Sequence, residues 1–251
     1  MRVAPTIVFL HGFTLTGASW QPVVEGLGER YRSLRPDIRG HGAAAAARPI
    51  DFDSCVQDVV ALAGERFALA GYSLGGRLAL HVALAHPERV SQLILVGPTA
   101  GIADEVERRS RRAADAQLAV EIEQSTIEAF ARRWERRPIF KGQPAAVLEA
   151  AREDRLRNTP AGLAEALRGL GTGTMEPLWG RLPELDMPVT VIVGERDSKF
   201  RKLGERIAGL VADGRLVVVP ATGHAVHMEA PDLVAATITE AVGATDGVGA
   251  C

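Results

Sequence analysis

The chain has 251 residues, of which 47% are hydrophobic and 24% charged, a length and balance that suit one large α/β domain with a substantial core and exclude a disordered or fibrous class. Its formal charge of −2 excludes the strong basic excess of a nucleic-acid partner. Only two cysteines occur, Cys55 and Cys251, so no disulfide framework is expected; with no apolar run of transmembrane length and no signal-peptide stretch, a cytoplasmic protein without membrane insertion is expected.

In chain order, short apolar runs alternate with helical periodicity. The pattern predicts strand 6–10, helix 20–27, strand 31–36, helix 51–63, strand 67–70, helix 74–85 and strand 90–96. It returns with strand 189–193, helix 199–212, strand 215–219 and helix 231–242. Such alternation implies an α/β fold with a mainly parallel sheet flanked by helices on both faces. Between the halves the strand signals vanish, and Ala113 to Phe130 and Ala145 to Leu156 carry helical patterns. We therefore expect a core of residues 1–100 and 181–244, an inserted helical lid at 101–180, and a flexible tail at 245–251. The alanine run Ala43 to Ala47 reads as a loop or helix start.

Gly71-Tyr72-Ser73-Leu74-Gly75 lies where the apolar strand Phe67 to Ala70 turns into a helix with apolar spacing at Leu74, Leu78, Val82 and Ala85. A G-x-S-x-G turn needs glycine on both sides because the bend leaves no space for side chains, and it lifts the serine oxygen above the sheet. Ser73 is thus the expected nucleophile. An acid and then a histidine should follow in loops after later strands. Asp197 ends the run Val189 to Val193 plus Gly194-Glu-Arg, and His224 follows strand 215–219 by Pro220-Ala-Thr-Gly223. His224 would take the proton of Ser73, and Asp197 would orient the imidazole and stabilise its charged form. His11 and His227 are the other histidines near these loops; His224 is preferred because its turn is shorter and follows Gly223. The strand 6–10 runs into His11-Gly12-Phe13, so the backbone amides of Phe13 and Leu74 are the expected oxyanion donors, Leu74 at a helix start where amides are unpaired.

Arginines set this chain apart from an enzyme of apolar esters. Arg77 lies one helical turn after Ser73. Glu107-Arg-Arg-Ser-Arg-Arg112 opens the expected lid, Trp134 and Phe140 bracket Arg136-Arg137-Pro138, and Arg157 precedes Asn158-Thr-Pro. Guanidinium forks match carboxylates, so a small-molecule substrate bearing several carboxylates is expected. A solvated helix face balanced by glutamates is the bland alternative for each of Arg108, Arg109, Arg111 and Arg112.

The order of strand, His-Gly, nucleophile turn, acid and histidine, with a helical insertion, resembles the α/β-hydrolase superfamily along nearly the whole chain. Within it, Gly71-Tyr-Ser-Leu-Gly-Gly-Arg77, Gly194-Glu-Arg-Asp-Ser-Lys-Phe200 and Phe130-x3-Trp134-x3-Pro138-x-Phe140 are similar to the 2-succinyl-6-hydroxy-2,4-cyclohexadiene-1-carboxylate synthases of menaquinone biosynthesis. The resemblance implies a lyase that eliminates pyruvate from an enolpyruvyl ether, with no metal or organic cofactor. It implies Ser73, assisted by His224, as base toward the proton α to a succinyl carbonyl. Arg77, Arg157 and the lid arginines Arg108, Arg111 and Arg112 would clamp carboxylates, with Tyr72 and Trp134 shaping the pocket. The chain departs from that pattern at Val96-Gly-Pro-Thr-Ala-Gly101 and Asp37-Ile-Arg-Gly40. The alternative activity is a serine hydrolase acting on an ester or on a carbon–carbon bond next to a carbonyl; a non-catalytic receptor would be expected to have lost one of Ser73, Asp197 and His224.

Overall fold

Successive side chains of a strand point to opposite faces of its sheet. In β1 (Thr6–Leu10), Ile7 and Phe9 enter the core on one face and Val8 and Leu10 the core on the other, all fully buried. Such two-sided burial is what a continuous apolar strand encodes. The computed structural model describes residues 4–246. The expected flexible tail at 245–251, Cys251 included, lies outside the described residues apart from Thr245 and Asp246, which end the C-terminal helix.

With β2 (Arg32–Leu34), β3 (Phe67–Tyr72), β4 (Val90–Val96), β5 (Val189–Gly194) and β6 (Gly214–Val219), β1 forms a six-stranded sheet in the order β2-β1-β3-β4-β5-β6. Every pairing is parallel. Helices α1 (Gln21–Leu27), α9 (Val226–Glu229) and α10 (Pro231–Asp246) pack together on the Ile7/Phe9 face, and α2 (Phe52–Ala63), α3 (Leu74–Ala85) and α8 (Ser198–Leu210) cover the other. β2 is shorter than the predicted 31–36. It is an edge strand, and Pro36 has no N–H to extend its ladder.

β4 and β5 are neighbours in the sheet, yet four helices intervene in sequence: α4 (Glu105–Glu123), α5 (Ile127–Trp134), α6 (Ala145–Arg155) and α7 (Pro160–Leu170). Their starts are written in the sequence. Asp104 caps α4 by accepting the Glu107 N–H at 2.7 Å, and Thr159 caps α7 ahead of Pro160 at its first position. The single helical pattern expected from Ala113 to Phe130 is broken in the structure. Thr126 turns out of helix to cap α5 through the Ala129 N–H, because a threonine hydroxyl competes with the helical backbone for its amides. The insertion has its own small core of Ala119, Ile122, Phe130, Leu163, Ala164 and Leu167, against which Phe13 of the sheet-side loop packs.

Beneath the C-terminal edge of the sheet lies a layer of buried histidines. His11 donates from Nδ1 to the Gly12 carbonyl and accepts the Ile38 N–H at Nε2, both at 2.9 Å, which fixes it as a neutral crosslink. His227 packs between Trp20 and Tyr72, with ring centroids 4.6 and 4.2 Å away and the rings tilted, and neither ring nitrogen has a partner among the described residues. Burial holds His11 at about 4; burial, with a smaller push from His11, holds His41 at about 3; burial, with a smaller push from His224, holds His227 at about 3. The unfolded chain protonates these rings near their ordinary value of about 6.5, and the folded chain does not. Stability is therefore full above that value and is lost as pH falls from about 6.5 toward 3. Melting temperature is expected to drop steadily through that window, and His227→Phe, which keeps the packed ring without a titrating nitrogen, is expected to flatten the drop. A His227→Phe protein with an unchanged acid profile would contradict the assignment.

Candidate active site

The loops after the C-terminal ends of β1, β3, β5 and β6 carry Phe13, Ser73, Asp197 and His224 in turn, as the register of a parallel sheet dictates. Ser73 follows β3 with φ 51° and ψ −102°, a left-handed conformation costly for a residue with a side chain. Its own N–H is held by the Val96 carbonyl of β4 at 2.9 Å. A Cβ on Gly71 would sit 2.3 Å from the Gly75 carbonyl oxygen, and one on Gly75 would sit 2.1 Å from the Leu10 carbonyl oxygen. Both glycines are therefore required by close backbone approach. Ser73 also occupies the cap position of α3 without bonding a helix amide, which leaves its hydroxyl free.

That hydroxyl lies 3.1 Å from His224 Nε2, and His224 Nδ1 lies 2.7 Å from Asp197 Oδ2. Asp197 has a second task as the cap of α8, accepting the Phe200 N–H at 3.2 Å through Oδ1. Its carboxylate thus stands at a helix N-terminus, where the dipole favours negative charge. Phe200 packs on the imidazole with ring centroids 4.2 Å apart, and Tyr72 packs at 5.2 Å. The His224 loop is fixed in turn by Glu229, which accepts the Gly223 N–H at 2.7 Å, and by the Thr222 hydroxyl donating to the Val219 carbonyl at 2.9 Å. The departure at Val96-Gly-Pro also has a place here. A Cβ on Gly97 would come within 2.9 Å of His224 Cε1, so the loop after β4 must carry glycine to let the ring in.

Above Ser73 and His224 a cavity of about 550 Å³ opens between the sheet edge and the insertion. Phe13, Tyr72, Arg77, Arg111 and Trp134 line it, together with Arg137 and Lys199, two cations for which the sequence motifs indicate no role. Arg77 is buried and donates to the Leu170 carbonyl at 2.5 Å; burial, then the Arg111 charge, pulls it down to about 9, so it remains a cation at neutral pH. Arg111 is bonded at 2.8 Å to Asp115, a buried carboxylate that also borders the cavity. Arg137 stacks on Trp134, its guanidinium carbon 4.2 Å from the ring centroid.

Three of the expected arginines lie elsewhere. Arg108 donates to the Ile102 carbonyl at 3.3 Å and reaches toward Glu176, and Arg112 donates to the Gly173 carbonyl at 3.0 Å; both brace the insertion rather than line the cavity. Arg157 falls beyond the end of α6. It pairs with Asp154 at 3.5 Å, is largely exposed, and borders a separate surface groove beside Thr16 and Asp37. The inward position belongs to Arg155, buried, 5.2 Å from the Phe140 ring centroid and donating to the Thr14 hydroxyl at 3.3 Å, with Nη1 unpartnered among the described residues. The signal that could have found it is the phase of α6, whose buried positions are Ala151, Asp154 and Arg155. Among the described residues no group of three or more His, Cys, Asp or Glu side chains is close enough to hold a metal ion, and no helix is long and apolar enough to cross a membrane.

The family model described as the α/β-hydrolase family matches residues 7–237. A Bacillus subtilis (strain 168) protein provisionally named 2-succinyl-6-hydroxy-2,4-cyclohexadiene-1-carboxylate synthase is 38% identical over 95% of this chain and 90% of its own length. The synthase of that name from Enterobacter sp. (strain 638) is 32% identical over 94% of this chain and 91% of its own. Among solved structures, MenH from S. aureus superposes with a TM-score of 0.91 at 30% identity, covering 98% of this chain and 96% of that one. A thermophilic esterase from Thermogutta terrifontis, with malate bound, gives 0.84 at 25% identity, covering 96% and 90%. With the nucleophile turn, acid and histidine on the sheet edge and relatives matched from end to end, the chain belongs to the α/β-hydrolase family, in its 2-succinyl-6-hydroxy-2,4-cyclohexadiene-1-carboxylate synthase branch.

Proposed function

We propose that this enzyme eliminates pyruvate from 2-succinyl-5-enolpyruvyl-6-hydroxy-3-cyclohexene-1-carboxylate to give 2-succinyl-6-hydroxy-2,4-cyclohexadiene-1-carboxylate. The observation that carries the reading is Arg77. Its buried guanidinium forms part of the cavity wall one turn from Ser73, yet among the described residues no carboxylate bonds to it, and Asp115, the carboxylate whose charge acts on it, is already bonded to Arg111. A buried cation without a bonded anion is costly unless a ligand supplies one. A substrate carboxylate meets that need, and an uncharged ester does not.

The chemistry then runs as a proton abstraction with loss of a leaving group. His224 takes the Ser73 proton, with Asp197 stabilising the imidazolium, and the Ser73 oxygen removes the ring proton α to the succinyl carbonyl. The electron pair moves onto the carbonyl oxygen, where the Phe13 and Leu74 amides hold the enolate. As the pair returns, the ring double bond shifts and the C–O bond to the enolpyruvyl group breaks. The ring is left with its 2,4-diene, and the departing enolate takes a proton to become pyruvate. Arg77, Arg111, Arg137 and Lys199 hold the carboxylates, Tyr72 and Trp134 shape the walls, and the helical insertion acts as a lid that keeps water from the enolate. The free Cys55 thiol suits a reducing cytoplasm.

The test is pyruvate release from the enolpyruvyl substrate, generated in place by the preceding pathway enzyme, beside cleavage of nitrophenyl acetate. Ser73→Ala is expected to lower pyruvate release by at least about 10²- to 10⁴-fold. Ester cleavage without pyruvate release would replace this reading with a serine hydrolase. Arg77→Ala removes charge-assisted contacts of about 1.5–3 kcal/mol each, so kcat/KM for pyruvate release should fall by about 10- to 150-fold while ester cleavage is largely kept. An unchanged kcat/KM in Arg77→Ala would remove the carboxylate clamp from the account.

A further inference from the structure

The loop that carries the Phe13 amide is held by the insertion rather than by the sheet. Between β1 and the Gly17–Trp20 turn, the Leu15 N–H closes a turn onto the Gly12 carbonyl at 3.1 Å. Thr14, inside that turn, is fully buried at φ 72°. A β-branched residue in this left-handed region carries roughly 1–3 kcal/mol of strain and persists only where its surroundings over-determine it.

Here the surroundings come from the joint between α6 and α7, about 140 residues away in sequence. Asn158 Nδ2 donates to the Thr14 carbonyl at 2.9 Å, and Asn158 Oδ1 accepts the Gly42 N–H at 3.0 Å. Asp154 accepts the Thr16 N–H at 2.8 Å through Oδ2 and the Thr16 hydroxyl through Oδ1. Arg155 donates to the Thr14 hydroxyl at 3.3 Å. Asp154 and Asn158 are both buried, so these bonds are shielded from competing water. The joint therefore grips the residue after Phe13 at its carbonyl and hydroxyl and the loop's far end at Thr16.

We infer that Asp154 and Asn158 are positioning residues for the anion-holding amide of Phe13, so that the α6–α7 joint of the insertion completes the catalytic centre. This rests on the reading of Phe13 as a donor to the developing oxyanion. Neither side chain lines the cavity; Asn158 acts through the Thr14 carbonyl, and Asp154 through the Thr16 amide and hydroxyl. The joint is then an anchored part of the insertion.

The test uses Asn158→Asp, which removes the donor to the Thr14 and Arg155 carbonyls while keeping shape and the acceptor for Gly42, and Thr16→Val, which removes the hydroxyl bond to Asp154 together with the cap on the Ala18 N–H. Glu123→Gln weakens the exposed Arg168–Glu123 pair between α4 and α7 and serves as a control on the insertion's stability. Two rates are read: kcat and KM for pyruvate release, and phosphonylation of Ser73 by a fluorophosphonate. In the latter, the serine oxygen bonds phosphorus, fluoride leaves and His224 takes the proton, without any carboxylate clamp. In both loop variants, kcat and the phosphonylation rate are expected to fall together by about 10- to 100-fold with KM changed less than about threefold, as for a displaced oxyanion donor, and Glu123→Gln should hold wild-type rates. Folded loop variants with wild-type phosphonylation would overturn the inference, whether KM moves or not. If wild type is phosphonylated but releases no pyruvate, the lyase reading fails while the phosphonylation comparison still decides this one. Should Asn158→Asp fail to fold, Thr16→Val carries the comparison.

Discussion

The left-handed turn at Ser73 is the constraint on which the rest of the site hangs. A serine at φ 51° can be held there only because β3 is locked between β1 and β4, because the Val96 carbonyl takes its amide, and because glycines stand where Gly75 meets Leu10 and Gly71 meets Gly75. The result is a hydroxyl turned away from the helix it begins and toward His224. The same edge sets the partners. β5 and β6 pair in register through Gly194 and Val219, so the loops that follow them come out side by side and place Asp197 against His224. Strain at one residue is thus supported by backbone contacts along several strands, which is the usual condition for a strained conformation to persist at a functional site.

The chemistry performed by that constellation is decided by what surrounds it. A serine, histidine and aspartate with backbone donors serve acyl transfer and proton abstraction equally well. What tilts this chain toward elimination from a carboxylate-rich substrate is a cavity in which Arg77, Arg111, Arg137 and Lys199 outnumber the carboxylates of Asp115 and Asp197. Asp197 is committed to His224 and the α8 amide, and Asp115 to Arg111. Positive charge in a low-dielectric cleft is left for the ligand to balance, and it would also favour the enolate that the reaction forms.

Much of this was legible in the sequence because strands and helices of a doubly covered sheet have strong apolar signatures. The turn glycines, the acid and the histidine followed strands whose ends could be counted, and β1, α3 and β4 fall at the expected residues. Legibility failed where side-chain direction rather than element type mattered. Arg155 and Arg157 differ by two residues, and only the phase of α6 and the point at which it ends send one inward and the other to the surface. Arg108 and Arg112 share the charge and spacing of Arg111, yet backbone carbonyls of the insertion take them up. The break at Thr126 was hidden by apolar periodicity that continues across it, since a cap is a local competition that periodicity does not record. The grip of Asp154 and Asn158 on the loop after β1 was out of reach for a different reason: it joins segments separated by the whole first half of the sheet.

The central claim is that Ser73 acts as a base toward carbon and is not acylated. It is tested most directly by a single turnover with substrate deuterated at the ring carbon α to the succinyl carbonyl, following pyruvate release and the mass of the protein together. The account predicts that deuterium slows pyruvate release and that the protein mass stays unchanged throughout. Release insensitive to deuterium, accompanied by a mass gain on Ser73, would contradict it and would make the enzyme an acyl-forming hydrolase.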